Sequence, residues 1–184
     1  MSSSAVTSFS PLRLSERTLA WQVAAVVVGT LILALSSHVK VPMYPVPMTM
    51  QTFAVTLIGA LYGWRLATVT VLVWLGEAAL GLPVLAGSGG VLSFVGPTAG
   101  YLFAFPLAAA LTGYLAERGW NGQRVTLAFA AMLLGNALCL VLGAAWLSTL
   151  VGFEKAIVAG VTPFIVGGIV KSALAAATLK ALPR

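Results

Sequence analysis

Four hydrogen-bonding side chains stand inside long apolar stretches of the sequence, and they are the residues whose types could do chemistry. They are Gln51, Glu77, Asn136 and Lys171. Measured from the nearest basic residue that ends the same stretch, they lie about 14 to 21 Å along a helix. An ionised side chain at a bilayer centre costs at least about 2.5 kcal/mol and normally faces a bundle interior or a cavity. The four residues therefore predict one polar level within a helical membrane bundle.

Each of these four side chains also has a purely structural interpretation. Glu77 and Lys171 could form an ion pair between two helices, since charges inside a membrane often pair with one another. Gln51 and Asn136 could join helices through hydrogen bonds, which is common for amides in membranes. The residues alone leave both interpretations open.

Two aromatic residues stand near this polar level. Trp74 lies one turn before Glu77 and shares its helix face. Tyr101 lies about 25 Å along a helix from Arg118. Both suit a pocket for a flat apolar ligand, and both equally suit packing or the aromatic belt of a membrane interface.

The composition identifies the surroundings of these residues as a lipid bilayer. Of the 184 residues, 60% are hydrophobic and 8% are charged, and the mean hydropathy is +1.03. A soluble domain carries roughly 25% charged residues. The predicted fold class is therefore an all-α membrane protein. The net charge of +6 is scattered singly between apolar runs, so we expect no nucleic-acid partner.

Charges, prolines and glycine clusters divide the chain into six predicted transmembrane helices. Crossing the hydrocarbon core of a bilayer takes about 20 helical residues. A polar tail, residues 1–18, precedes the first span, and residues 19–184 form the six-helix domain. The predicted spans are 19–36, 49–63, 66–80, 98–116, 125–151 and 164–182.

Lysine and arginine predict the orientation, because they are enriched in short cytoplasmic loops. Basic residues fall mainly on one side of the predicted bundle. Both termini, including the polar tail, are therefore predicted to be cytoplasmic, in a multi-pass protein of the cell membrane. Arg13, Arg17, Arg65, Arg118, Arg124, Lys180 and Arg184 fall on that side, against Lys40 and Lys155 on the other.

Two uncharged connections on the outer side differ from ordinary loops. Residues 41–48 contain three prolines, and residues 81–97 contain five glycines. Irregular backbone at membrane depth is tolerated only where it is buried in protein or lines a cavity. We therefore expect these connections to cap a ligand pocket, with Gly87, Gly89 and Gly90 allowing close approach. Apolar loops resting at the interface are the alternative.

The sequence lacks the motifs that are typical of several classes of enzyme and ATP-binding protein. The sequence contains no GxxxxGK[ST] phosphate loop and no HExxH. Ser88 and Ser93 have no histidine or aspartate beside them for nucleophilic catalysis. The single Cys139 leaves no disulfide or cysteine metal site. We therefore expect no enzyme activity, cofactor or metal. Proton coupling through Glu77 is disfavoured because no inverted repeat is visible.

Three segments follow one another in the order of a known family's signatures. Residues 45–55 read PVPMTMQTFAV, residues 74–90 read WLGEAALGLPVLAGSGG, and residues 96–105 read GPTAGYLFAF. They resemble the PVPxTxQTxAV, [EG]-A-x-GLPVFAGGxGG and GPTGGYLxGF segments of the BioY family, the biotin-specific S components of energy-coupling factor (ECF) transporters. The resemblance runs from about residue 42 to the C-terminus, roughly three quarters of the chain.

The resemblance implies a substrate-binding domain that takes biotin from the outside, with a cytoplasmic ATPase and a transmembrane scaffold protein as partners. Biotin joins an apolar body to a ureido group and a carboxylate. We expect Lys171 to attract a charged or strongly polar acceptor, and the amides and Glu77 to meet the ureido group. The expected substrate-binding residues are Gln51, Trp74, Glu77, Gly87, Gly89, Gly90, Tyr101, Asn136 and Lys171.

Other functions remain open beside this one. Some family members transport alone, so a self-sufficient biotin carrier is the first alternative. A membrane assembly protein without transport activity is the second.

The first helix is the expected docking face for the scaffold. In S components, small residues spaced AxxxA on this helix contact that partner, and small residues allow helices to approach closely. This chain offers the pairs Ala20–Ala24 and Ala25–Gly29. The same stripe could instead pack within the bundle.

One segment departs from the family pattern. The last helix of the family resembles PFxPGDxxK, whereas residues 163–171 read PFIVGGIVK. Lys171 is kept, and Gly168 stands where the acid is usual. Our hypothesis is that Glu77 supplies the missing carboxylate and pairs with Lys171.

Overall fold

A computed structural model describes residues 14, 17–87 and 90–182 of the chain. The described residues form a helical bundle with one two-stranded hairpin. Strands β1 (Lys40–Val41) and β2 (Met48–Thr49) pair antiparallel, with Lys40 opposite Thr49. A short 3-10 helix, Val91–Phe94, lies between α3 (Trp64–Ala79) and α4 (Ala99–Glu117). The elements are α1 Leu19–His38, β1 Lys40–Val41, β2 Met48–Thr49, α2 Gln51–Tyr62, α3 Trp64–Ala79, α4 Ala99–Glu117, α5 Val125–Val151, α6 Phe153–Gly160 and α7 Thr162–Ala181.

Four helical segments are long and apolar enough to cross a membrane. They are Leu19–His38, Ala99–Glu117, Val125–Val151 and the combined segment Phe153–Ala181. The predicted spans at 49–63 and 66–80 correspond to α2 and α3, with 12 and 16 residues. A helix rises about 1.5 Å per residue, so these two reach only about 18 and 24 Å.

Two glycines allow consecutive helices to follow one another with little intervening chain. Gly63 has φ +78° between α2 and α3, and Gly152 has φ +87° between α5 and α6. This left-handed region is unfavourable for residues with a Cβ. Helix α6 was not predicted, because Glu154 and Lys155 are typical of a polar connection. In the structure, Gly152 ends α5, and α6 begins at the next residue.

Helix α4 is the centre of the bundle. It packs against α2, α3 and α5, and α5 in turn packs against α6 and α7. Close approach depends on small residues: a Cβ at Gly113 of α4 would lie 2.5 Å from the backbone nitrogen of Trp64. Helix α1 packs mainly on α3 and exposes large apolar side chains, including Leu19 and Leu35 at 75% and 69% exposure. Such a surface suits lipid rather than water.

Two connections matter for the site. The α1–α2 connection, residues 39–50, contains the hairpin and, as its prolines predict, no helix. The α3–α4 connection is described at residues 80–87 and 90–98, and the backbone of its residues 83–86 lies against the end of α1 and against β1 through hydrogen bonds.

Candidate functional site

A cavity of about 190 Å³ lies between α2, α4, α5 and α7 and beneath the two connections. Its wall is mainly apolar, with a few polar groups, which is the usual composition of a small-molecule site. The described residues that line it are Val46, Pro47, Thr49, Gln51, Thr52, Leu85, Ala86, Gly87, Ser93, Thr98, Tyr101, Leu102, Phe105, Asn136, Cys139, Leu140, Phe164, Gly168 and Lys171.

Lys171 is the one charged residue among the described residues of this lining. It belongs to α7, its exposure is only 8%, and its Nζ donates a hydrogen bond to the carbonyl oxygen of Thr49 at 3.0 Å. An ammonium group has three N–H donors. The contact with Thr49 uses one of them, so two others can serve an acceptor in the cavity.

Gln51 begins α2 directly after the hairpin. Its Oε1 accepts a hydrogen bond from Thr49 Oγ1 at 2.7 Å, and its backbone N–H donates to the same hydroxyl at 3.3 Å. Thr49 therefore links Gln51 to Lys171. Because the carbonyl end of the Gln51 amide is engaged, its Nε2 is the group that can donate to a ligand.

Asn136 of α5 presents the opposite hydrogen-bonding character. Its Nδ2 donates to the carbonyl of Met132 at 3.0 Å and to Ser172 Oγ at 3.1 Å. Ser172 in turn donates to the carbonyl of Gly168 at 2.7 Å. Both N–H groups of the amide are thus occupied within the bundle, which leaves Oδ1 as an acceptor.

Tyr101 forms part of the apolar wall. Its hydroxyl donates to the carbonyl of Gly160 at 2.8 Å, and its ring stacks on Phe164 with centroids 6.2 Å apart. With 7% of its surface exposed, it is not an interfacial belt residue. It joins α4 to the junction of α6 and α7 and presents its ring to the cavity.

Thr52 is a lining residue that sequence reasoning missed. Its buried Oγ1 is the one side-chain oxygen or nitrogen found without a hydrogen-bond partner among the buried groups of the described residues. A buried hydroxyl without a partner is costly. Rotation about χ1 exchanges the hydroxyl with the methyl group, so Oγ1 can turn toward a ligand. Helical threonines usually bond to their own helix, so no feature of the sequence distinguishes Thr52 from an ordinary helical threonine.

Trp74 does not line the cavity, contrary to expectation. It is fully buried, its ring lies against Phe105 with centroids 6.0 Å apart, and its Nε1 donates to the carbonyl of Val84 at 3.1 Å. It supports the α3–α4 connection from behind, so its contact with the site is through the residues that follow Val84.

The hypothesis of a Glu77–Lys171 pair is wrong. Lys171 bonds to Thr49 instead, and Glu77 is absent from the cavity lining. Helix α3 packs against α1, α2 and α4, whereas α7 packs against α2, α5 and α6. Distance along a helix gives the depth of a residue but not its position around the bundle, and this is the physical reason for the error.

The cavity is open beside Gly168. A Cβ at this position would have one neighbour within 4 Å, the Cβ of Asn136 at 3.9 Å. The residue that replaces the family's acid therefore leaves space, and no carboxylate is found among the described lining residues.

The three glycines that were expected to bind substrate differ in their relation to the cavity. Gly87 lines the cavity. Gly90 has φ +102° and is not part of the described lining. Gly89 lies outside the described residues.

The expected docking face on α1 separates into two parts. Ala20 and Ala24 are exposed. Ala25 and Gly29 face the bundle instead: the Ala25 carbonyl accepts a hydrogen bond from Tyr62 at 2.9 Å, and a Cβ at Gly29 would lie 2.5 Å from Thr70 Cγ2. The interpretation that the second pair packs within the bundle is therefore the correct one.

Comparison with known proteins agrees with this architecture. The family model "BioY family" matches residues 6–184. A probable biotin transporter BioY of Pyrococcus horikoshii is 37% identical, over 84% of this chain and 91% of its own length. The biotin transporter BioY of Rhizobium etli is 38% identical, over 83% and 84%.

A solved structure has the same fold. It is described as the S-component for biotin from an ECF-type ABC transporter, with a TM-score of 0.76, 25% identity, and coverage of 89% of this chain and 93% of that chain. The resemblance seen in the sequence segments is confirmed: this chain belongs to the BioY family.

Proposed function

We propose that this chain captures biotin in the cavity and serves as the substrate-binding subunit of an ECF-type importer. The observation that carries the proposal is the buried Lys171 facing an apolar cavity with no described carboxylate beside it, in a member of the BioY family. An unneutralised buried ammonium favours a ligand that brings a carboxylate or a strongly polar oxygen.

The polar groups of the cavity match those of biotin. Lys171 Nζ and Gln51 Nε2 are donors, and Asn136 Oδ1 is an acceptor. A ureido group presents both N–H donors and a carbonyl acceptor, and biotin adds a carboxylate. The rings of Tyr101 and Phe105 supply apolar surface for the bicyclic body. We assign Lys171 to an acidic or strongly polar oxygen of biotin, and Asn136 to a ureido N–H.

We also propose that the chain crosses the cell membrane six times, with both termini in the cytoplasm. Arginine and lysine support this orientation. Trp64 at the start of α3 donates its backbone N–H to Glu117 at the end of α4, at 3.1 Å. Arg65 and Arg118 therefore lie at one end of the bundle, and this is the end assigned to the cytoplasm. The short helices α2 and α3 leave room for the connections to descend toward the cavity.

An ATPase and a transmembrane scaffold are the proposed partners. The likeness to the S-component of an ECF-type ABC transporter supports them, and the sequence has no phosphate-binding loop of its own. The exposed pair Ala20 and Ala24 is the proposed docking face, since small side chains let a partner helix approach closely. Uptake of biotin by cells that express this chain without those partners would instead favour the self-sufficient carrier.

Binding of radiolabelled biotin by the purified chain in detergent tests the proposed function. We expect saturable binding near one biotin per chain, weakened by Lys171→Met. Lys180→Met is the matched control, because Lys180 is an exposed lysine on the same helix. A folded chain that binds no biotin would refute the assignment.

A further inference from the structure

The backbone of residues 83–86 is held by side chains from other elements. The carbonyl of Val84 lies 2.6 Å from Ser37 Oγ and accepts a hydrogen bond from Trp74 Nε1 at 3.1 Å. Both donor residues are fully buried, with 0% exposure. A carbonyl oxygen has two lone pairs, so Val84 can accept from both of these groups, through contacts that are partly buried.

Two further carbonyls of the segment are held from the end of α1 and from β1. His38 Nε2 lies 3.0 Å from the carbonyl of Pro83, and Lys40 Nζ donates to the carbonyl of Ala86. These donors are exposed, so water can replace them and each contributes little. The partly buried contacts of Val84 therefore dominate the attachment.

Ser37 can release Val84 without losing a hydrogen bond. Its Oγ also lies 2.6 Å from the carbonyl of Ala34, in its own helix. A hydroxyl has one proton, so it can serve either carbonyl. When the segment moves away, the proton can turn to Ala34, and the buried hydroxyl is never left without a partner. This arrangement lowers the cost of detaching the segment.

The attached segment is also a wall of the cavity. Leu85, Ala86 and Gly87 line it directly after the held carbonyl, and Leu85 is only 4% exposed. A ligand entering or leaving on this side must displace residues 83–87. The contacts of Val84 consequently oppose both movements.

We propose that Ser37 and Trp74 are positioning residues which, through the carbonyl of Val84, control how fast ligand enters and leaves the cavity. The inference rests on the proposed binding of biotin. Loosening the segment favours passage in both directions, so both rates should rise while the ratio that sets Kd changes little.

The test compares Ser37→Ala with Ser36→Ala. Ser36 is the matched control because its Oγ bonds only to the carbonyl of Leu33 in its own helix among the described contacts. Hydrogen–deuterium exchange of the ligand-free chain reports the segment, and radiolabelled biotin reports capture and release. Trp74→Phe, which removes the N–H and keeps a ring, is the second variant in case Ser37→Ala folds poorly.

We expect exchange in residues 82–87, biotin capture and biotin release each to rise about 3- to 10-fold in Trp74→Phe, from the usual worth of one hydrogen bond. The rise in Ser37→Ala should be smaller, about 2- to 3-fold, because the wild-type hydroxyl can turn to Ala34 when the segment detaches. Kd should stay within about 3-fold, and Ser36→Ala should match the wild type. General damage to the site would instead weaken Kd without faster capture.

Two results would overturn the inference: exchange in residues 82–87 equal to that of Ser36→Ala, or a faster release with unchanged capture. If the wild-type chain bound no biotin, the proposed function would fall. Amide exchange in the ligand-free chain would still decide whether Ser37 and Trp74 hold the segment.

Discussion

Replacing Lys171 by methionine should weaken biotin binding strongly while leaving the fold intact. Methionine preserves most of the length and apolar stem of lysine and removes the charge. In the wild type, the ammonium group lies at 8% exposure and bonds to the carbonyl of Thr49. The variant thus loses the one charged group found in the described lining of the cavity, without creating a large void.

The magnitude follows from the worth of a charge-assisted hydrogen bond. Hydrogen bonds to charged groups contribute about 1.5 to 3 kcal/mol, and about 1.4 kcal/mol corresponds to a factor of ten in Kd. We therefore expect Lys171→Met to raise the Kd for biotin about 10- to 100-fold. Two effects on stability oppose each other, since the bond to Thr49 is lost and a buried charge is removed.

Equilibrium dialysis with radiolabelled biotin measures the change, and Lys180→Met is assayed in parallel. Circular dichroism and the thermal midpoint show whether each variant is folded. A folded Lys171→Met chain whose Kd lies within about twofold of the wild type would contradict this prediction, because the buried ammonium would then contribute nothing to the affinity for biotin.

The other predictions concern a hydroxyl, a cavity wall and a helix contact. Thr52→Val should raise the Kd for biotin about 5- to 10-fold, because it removes a hydroxyl that has no partner within the protein and that we expect to bond to the ligand. Thr56→Val is the control: its hydroxyl bonds within α2, so the variant should bind biotin normally in the same dialysis assay. Gly168→Leu should fill open cavity space and weaken biotin at least about 10-fold; normal binding would show that the ligand lies elsewhere. Gly113→Ala should lower the thermal midpoint by several degrees, because the new Cβ would clash with the backbone of Trp64. Gly76→Ala should leave the midpoint unchanged, because a Cβ there has no neighbouring atom within 4 Å.

The sequence predicted most helix positions because their boundaries depend on local chemistry. Residues 125–151 form α5 with the predicted bounds, since Arg124 and Gly152 end the apolar run sharply. Residue types could not distinguish α6 from a polar connection, because an amphipathic eight-residue helix with Glu154 and Lys155 resembles a loop in composition.

Part of the cavity lining could be predicted from the depth of polar residues along their helices. Gln51, Asn136 and Lys171 were expected at one level, and all three line the cavity. Glu77 was placed at that level too, but it belongs to a helix on another side of the bundle. Position around the bundle depends on which helices pack together, and that is decided by contacts such as Gly113 against Trp64.

The orphaned hydroxyl of Thr52 and the attachment of Val84 depend on tertiary geometry alone. Ser37 and Trp74 reach the same carbonyl from positions 47 and 10 residues away. Neither spacing follows a helical or strand period, so no local pattern in the sequence could indicate the contact.

Whether the chain is a biotin-binding subunit is tested by the amount of biotin bound per purified wild-type chain at saturation, measured with and without an excess of unlabelled biotin. We predict one displaceable biotin per chain. A folded chain that retains no radiolabelled biotin, or only an amount that unlabelled biotin fails to displace, would contradict this prediction.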